Sequence, residues 1–430
     1  MKLTQQHALS LTNLGLLSFI VLIIGIALNT FLALSIKYDP DQAQMLTKGM
    51  ALAYHGIWTP YGNAITGGGF VPGGLITALT GIPLLIWDNA MAPQILIICL
   101  HLLAIYLLNA ALKDYFTPTQ RFIFLCLFWL TPWRIGHAVL WNPSYLFFVS
   151  AVHFYTATRL SSAKKLSFWS SFWLSFFHIF IIGFAFQIHA SAILLAFISA
   201  YLILRKYIHI NWFGVLSAST LVVLSLLPYL LAIQSHAEPL IPLADPDKEG
   251  FYGYGLVKVY PILKAALYWP RYTSTIIASQ LLDGINAHLI LSIIYYAIGI
   301  ASMILSFWAL AWFGKKIFRR RKALFRMDSI IDNYLLASIL AVIASAALSP
   351  VNFANWYLLL ILPFTYIVFV AFLTTKFSFL NRKQITVALF VSGVYLITIS
   401  LMIPFLSHRY DLNDTMVFKS EKIRTEFLNP

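Results

Sequence analysis

The stretch Val71–Trp87, VPGGLITALTGIPLLIW, decides how this chain is threaded. It is as apolar as a membrane span, yet it is only 17 residues long and carries prolines at 72 and 83 and the pair Gly73-Gly74. Proline removes a helical donor, and a helix of this length sits at the lower limit for crossing ~30 Å of hydrocarbon. The flanking loops settle the matter. If the stretch lies in the interface, the short loops with Lys113, Arg121, Arg159, Lys164, Lys165, Arg205, Lys206, the cluster Lys315 to Arg326, and Lys376 to Lys383 all share one side. They hold 17 basic residues, against Arg134 alone in the short loops opposite. If the stretch crosses, every later loop changes sides and the bias opposes the positive-inside rule. Val71–Trp87 is therefore expected to lie along the membrane surface.

Composition leads to the same setting. With 430 residues, 60% of them hydrophobic and 10% charged, the chain is too apolar for a soluble globule. The net charge of +14 is read as loop asymmetry across a bilayer, not as a nucleic-acid footprint. Eleven spans are predicted, at 14–36, 90–112, 118–133, 144–160, 166–186, 190–204, 212–233, 289–313, 333–348, 356–372 and 385–406. The first is longer than a signal-peptide core and is taken as retained, although Ala33-Leu34-Ser35 imitates a cleavage site. Thr117-Pro118-Thr119-Gln120 reads as a capping box that opens the third span, with Arg121 and Arg134 snorkelling to opposite faces.

The expected architecture is an all-α polytopic membrane protein, one transmembrane domain over 1–430, with the N-terminus cytoplasmic and the C-terminus extracytoplasmic. Two long outer loops, 37–89 and 234–288, and a short outer tail, 407–430, complete it. Twelve of the 15 acids then lie outside. Both long loops mix apolar and aromatic residues with turn formers, as in LVKVYPILKAALYWPRY at 256–272, and read as interfacial helices over a cavity. Cys99 and Cys126 lie in apolar runs and behave as small hydrophobes.

Because acids are scarce, Asp39-Pro40-Asp41 stands out just beyond the first span. One reading is that these are ordinary solvated acids; the other is that they face a groove open to both lipid and water. The loop continues with Gly56-Ile57-Trp58-Thr59-Pro60 and Gly67-Gly68-Gly69-Phe70-Val71-Pro72-Gly73-Gly74 before the interfacial stretch. This order resembles the GT-C superfamily of membrane glycosyltransferases, particularly the bacterial aminoarabinose transferases of lipid A and the protein O-mannosyltransferases. The resemblance implies a GT-C-like bundle in which Asp41, after Pro40, is the essential loop carboxylate that orients or deprotonates the acceptor, with Asp39 beside it. It also implies that Trp58 belongs to the substrate-binding cluster. The family's Glu-Lys pair before the loop proline is replaced here by Phe70-Val71. The second acidic motif of the superfamily reads Trp141-Asn142-Pro143-Ser144, with Asn142 where several relatives place Asp. Amide oxygen is the weaker ligand, so no metal ligands are assigned and no cofactor is expected, a divalent ion being disfavoured.

Trp-Asn-Pro together with Gln187-Ile188-His189 resembles a branch of uncharacterised bacterial members of the superfamily. His189 is either a satisfied interfacial histidine or a contact that binds substrate or handles protons. His153 and His178, inside spans, read as interhelical hydrogen bonders. Lys258, Lys264 and Arg271 punctuate the aromatic second loop and either clamp a lipid-linked phosphate or simply snorkel. Asn355-Trp356-Tyr357 followed by Pro363 is similar to the family's Tyr-x(5)-Pro segment, which makes Tyr357 a substrate-binding candidate. Gly67 to Gly69 is a phosphate nest or a flexible turn, and Asp245-Pro246-Asp247 repeats the Asp-Pro-Asp spelling in an exposed loop.

The expected function is transfer of a sugar from a polyprenyl-phosphate donor to a lipid, glycan or protein acceptor at the extracytoplasmic face, with inversion. The expected location is a bacterial inner membrane. A transporter or flippase for a lipid-linked sugar is the alternative. It would call for ionisable residues in mid-span, and Asp, Glu, Lys and Arg are nearly missing there.

Overall fold

The computed structural model describes residues 11–37, 39–65, 69–161, 164–235, 258–274, 276, 289–319, 329–350, 354–406 and 415–428. All eleven predicted spans contain helix. Eight helices are long and apolar enough to cross a membrane. These are α1 (Leu11–Ser35), α4 (Met91–Leu112), α8 (Phe168–Phe186), α10 (Trp212–Ser235), α12 (Leu289–Arg319), α13 (Ile330–Leu348), α14 (Leu362–Lys376, extended by a 3-10 turn over Asn355–Ile361) and α15 (Arg382–Leu406). The chain is a multi-pass membrane protein. The other three, α5 (Pro118–Trp129), α7 (Leu146–Arg159) and α9 (Ile193–Leu204), are shorter than expected.

All three are cut short at the same end, and local chemistry explains each break. Thr131-Pro132 stops α5 and starts the single turn α6 (Pro132–Gly136). Pro143 opens a 3-10 turn, Asn142–Tyr145, before α7. His189 caps a second such turn, Ala190–Ala192, before α9. Irregular backbone at this depth survives only where protein buries it or a polar cavity receives it. Here Trp133, Arg134, Asn142, Ser144 and Tyr145 are all buried.

The capping box of α5 forms as expected, with the Gln120 backbone N–H donating to Thr117 Oγ1 (3.3 Å) and the Thr117 N–H to Gln120 Oε1 (2.9 Å). In the centre of the bundle Phe154, Tyr334 and Phe364 pack ring to ring with centroids 4.8–5.3 Å apart. Beside them, His153 and His178 stack at 4.2 Å and tie α7, α8, α9 and α13 together, as expected of interhelical hydrogen bonders. The hydrogen bonds run in one direction. Tyr334 OH donates to His153 Nδ1 and His153 Nε2 to Ser199 Oγ; Ser199 donates to His178 Nε2, and His178 Nδ1 to Thr156 Oγ1. Thr156 gives its proton to the Val152 carbonyl, where the chain ends.

The first loop contains α2 (Pro40–His55) and α3 (Leu75–Ile86). At 12 residues, α3 is about 18 Å long, too short to cross. Both its ends are tied to α2 and its C-terminal extension: Trp58 covers Gly74, and Tyr54 OH donates to the Asp88 carboxylate. The two helices cross at Gly49 and Gly81, where a Cβ on Gly49 would lie 2.5 Å from Thr80 Cγ2. Val71–Trp87 therefore lies alongside α2.

A two-stranded hairpin, β1 (Tyr61–Ala64) and β2 (Phe70–Pro72), adds an element that the all-α expectation lacked. It is lashed to α2 by Asn63 Nδ2 to the Asp41 carbonyl (3.0 Å), Ala64 N–H to Gln44 Oε1 (3.1 Å) and Lys48 Nζ to the Gly62 carbonyl. The tail expected at 407–430 contains α16 (Met416–Leu428). Arg424 Nη2 lies 2.7 Å from Asp88 Oδ2, and the ring of Phe427 is 4.7 Å from that of His55. The remaining helix, α11 (Val259–Arg271), lies in the second long loop.

Candidate functional site

Asp39 and Asp41 have different surroundings. Asp39 is the N-cap of α2: its Oδ1 accepts from the Gln42 backbone N–H (3.1 Å), and Gln42 Oε1 accepts from the Asp39 N–H (3.1 Å). With Pro40 as the first helical residue, this is a complete capping box. Asp41 follows in the first turn, where the helix dipole favours a carboxylate. Its Oδ2 accepts from Trp141 Nε1 at 3.0 Å, a bond that spans 100 residues of sequence.

Trp141 is held from below by a buried network. Arg134, expected to snorkel, is instead only 1% exposed. The break at Thr131-Pro132 strands the Trp129 carbonyl at the end of α5. Arg134 caps it with Nε (2.7 Å) and Nη2 (2.5 Å) while its guanidinium lies 3.8 Å over the Trp129 ring. Its Nη1 reaches His101 Nδ1 (3.4 Å), and His101 Nε2 lies 2.8 Å from the Ser144 carbonyl. A carbonyl only accepts, so His101 carries its proton on Nε2 and receives the guanidinium on Nδ1. Gln94 Nε2 donates to the Ala138 carbonyl (2.5 Å) and fixes the same loop.

Above this base runs an aromatic array. His137 stacks between Trp133 (6.1 Å, 12°) and Trp141 (5.5 Å, 29°). Trp356 meets Trp141 at 6.3 Å and 70°, Tyr357 follows at 6.0 Å, and His189 lies 5.3 Å beyond. At the other end, Arg271 of α11 lies 5.7 Å from the Trp133 ring, whose Nε1 donates to the Ser274 carbonyl (2.8 Å). Both long loops thus meet at one array.

Of the residues singled out from sequence, the structure joins Asp41, Asn142, His189, Tyr357 and Arg271. Asn142 acts as a tether, its Nδ2 donating to the Ile188 carbonyl at 3.0 Å. His189 Nδ1 accepts from the Ser191 backbone N–H (3.2 Å), leaving its proton on Nε2. Burial lowers its pKa to about 4, so it is neutral at physiological pH. Trp58 sits on Gly74, and the neighbouring Gly73 (φ +88) abuts the Gln187 side chain, which brings Trp58 to the edge of the same region. Lys258 does not join. It precedes α11, about 20 Å along the helix from Arg271, and its N–H donates to the Ala347 carbonyl (3.2 Å). Lys264 lies midway, with its pKa lowered by burial. Gly67, Gly68 and Asp245-Pro246-Asp247 lie outside the described residues.

Trp133, His137, Trp141 and Trp356 were not picked out as site residues. A hint was present in the density of aromatic residues at 129–141, but only their stacking distinguishes them from an interfacial belt. Among the described residues, no three His, Cys, Asp or Glu side chains gather to hold a metal.

The fold is similar to that of two solved structures of ArnT from Cupriavidus metallidurans. The one bound to undecaprenyl phosphate is 10% identical, with a TM-score of 0.56 over 87% of this chain and 62% of that one. The apo structure is 12% identical, with a TM-score of 0.51 over 84% and 60%. This chain spans about three fifths of ArnT's length. No family model and no curated protein matches the sequence.

Proposed function

We propose that the protein is a glycosyltransferase that moves a sugar from a polyprenyl-phosphate donor to an acceptor at the extracytoplasmic face, with its N-terminus cytoplasmic. The observation that carries this reading is the continuity of the site. One array of rings links the Asp41 carboxylate to the Arg271 guanidinium at a face where three helices stop short. The likeness in fold to a protein crystallised with undecaprenyl phosphate supports the same donor class.

In this reading the donor enters sideways from the bilayer. The acceptor hydroxyl attacks the anomeric carbon as the bond from that carbon to the phosphate oxygen breaks. Asp41 takes the hydroxyl proton, and the lipid phosphate leaves as an anion that needs no strong acid. Arg271, with Lys264 nearby on α11, holds the phosphate. Lys258 stands at the other end of that helix. Asp39 sets the start of α2 and so the position of Asp41, while Asn142, His189, Trp58 and Tyr357 shape the sugar and acceptor side. A flippase is less well supported: the hydrogen-bond chain through the mid-membrane histidines ends on a backbone carbonyl and offers no path for protons. The test is transfer of radiolabelled sugar from undecaprenyl-phosphate donors by membranes containing the protein. Mass spectrometry of surface glycans with and without the gene identifies the acceptor. Movement of donor across vesicles without transfer would refute the enzyme.

A further inference from the structure

We infer that the corner formed by Trp141 and Trp356 is the seat of the donor's sugar, a pyranose ring held by stacking; this rests on the transferase reading above. The two indoles stand 6.3 Å apart at 70°, so together they offer a wall and a floor. Trp356 is 38% exposed and Trp141 is partly open. Trp141 does not need its polar edge for water, as a belt residue at a bilayer surface does, because its Nε1 is bound to Asp41. One face of a pyranose is a patch of C–H groups carrying partial positive charge, which the negative face of an indole attracts. Its rim is a ring of hydroxyls that need partners.

Asp41 meets the corner through its bond to Trp141, His137 stacks on Trp141, and His189 lies one ring further, against Tyr357. Asp41 Oδ1 has no protein donor among the described residues. His137 Nδ1 lies 2.6 Å from the Trp133 carbonyl and must carry the proton there, which leaves Nε2 as an acceptor. On the far side His189 presents an Nε2–H donor. Two acceptors and a donor around two aromatic planes suit a polyhydroxylated ring, whereas an acyl chain would leave all three unsatisfied.

The test is the dissociation constant of the full chain in detergent micelles for undecaprenyl phosphate, bare or carrying glucose, mannose, galactose or N-acetylglucosamine. The wild type is expected to bind one of the four glycosylated lipids about tenfold or more tightly than the bare lipid. Trp356→Ala removes that preference and leaves bare-lipid affinity unchanged, while Trp356→Phe keeps most of it. The inference is overturned if Trp356→Ala weakens bare and glycosylated lipid equally, which makes the ring a lipid contact. It is also overturned if the wild type binds all four no better than bare lipid. A wild type that binds no polyprenyl phosphate at all sinks the transferase reading itself, and that outcome is visible before any variant is made.

Discussion

Two aspartates two residues apart do different work here because one is spent on the backbone. Asp39 Oδ1 is committed to the first turn of α2, whereas Asp41 Oδ2 meets an indole N–H from a distant loop. Asp39→Ala should therefore lower stability by about 1 kcal/mol, the usual cost of losing a cap, and Asp39→Asn should restore it. Thermal unfolding in detergent measures both. Asp41→Asn keeps an acceptor for Trp141 Nε1 and should melt near the wild type, yet lose about 100-fold or more in transfer rate because the amide cannot take a proton. An Asp41→Asn protein with full turnover removes that residue from chemistry. His137 and His189 are held near 4 by burial and do not titrate near neutral pH. Their part is to donate and accept hydrogen bonds rather than to carry protons.

At the scale of elements, the α2–hairpin–α3 unit is held by close backbone approach and by one buried amine. Burial lowers the Lys48 pKa from 10.5 to about 8, with Nζ on the Gly62 carbonyl and between the Tyr61 and Phe70 rings. Between about pH 8 and 10.5 the unfolded chain binds a proton that the folded chain does not. Stability contributed by this group therefore rises with pH through that window and levels off above it. Lys48→Met should flatten the rise, read as melting temperature against pH. The hairpin was not legible because strands of four and three residues around a glycine run read as a turn; it exists only because α2 supplies its bonding partners. The helices were legible because their apolar runs and caps are local.

For the whole molecule, the first loop, the loop carrying α11 and the C-terminal helix α16 gather at one face. Arg424 reaches Asp88, and Arg271 reaches Trp133. The pairs of Asp114 with Arg159 (3.6 Å) and Lys164 (3.2 Å) join loops at the opposite ends of the helices. Single cysteines in place of the exposed Leu263 and Phe418, in a Cys99→Ser, Cys126→Ser background, should react with an impermeant maleimide from outside the cell. A cysteine at Lys164 should react only after permeabilisation. Opposite labelling of the Leu263 and Phe418 positions would separate loops that the site requires together.

The sequence by itself determined the apolar helices and the capping box that opens α5, since each depends on short-range quantities: an apolar run of sufficient length, an oxygen three residues from an N–H. The scarcity of acids drew attention to Asp39-Pro40-Asp41, and the resemblance to GT-C glycosyltransferases singled out Asp41 within it. Only the tertiary structure decided that Arg134 turns inward to cap α5 and that Trp133, His137, Trp141 and Trp356 form one surface. It alone showed that Arg271 reaches that surface and Lys258 does not. Those outcomes depend on rings and guanidinium groups brought within 4–7 Å from positions up to 215 residues apart, as Trp141 and Trp356 are. Neither hydropathy nor spacing along the chain encodes which distant faces will meet, because packing is settled by the shape of the whole bundle.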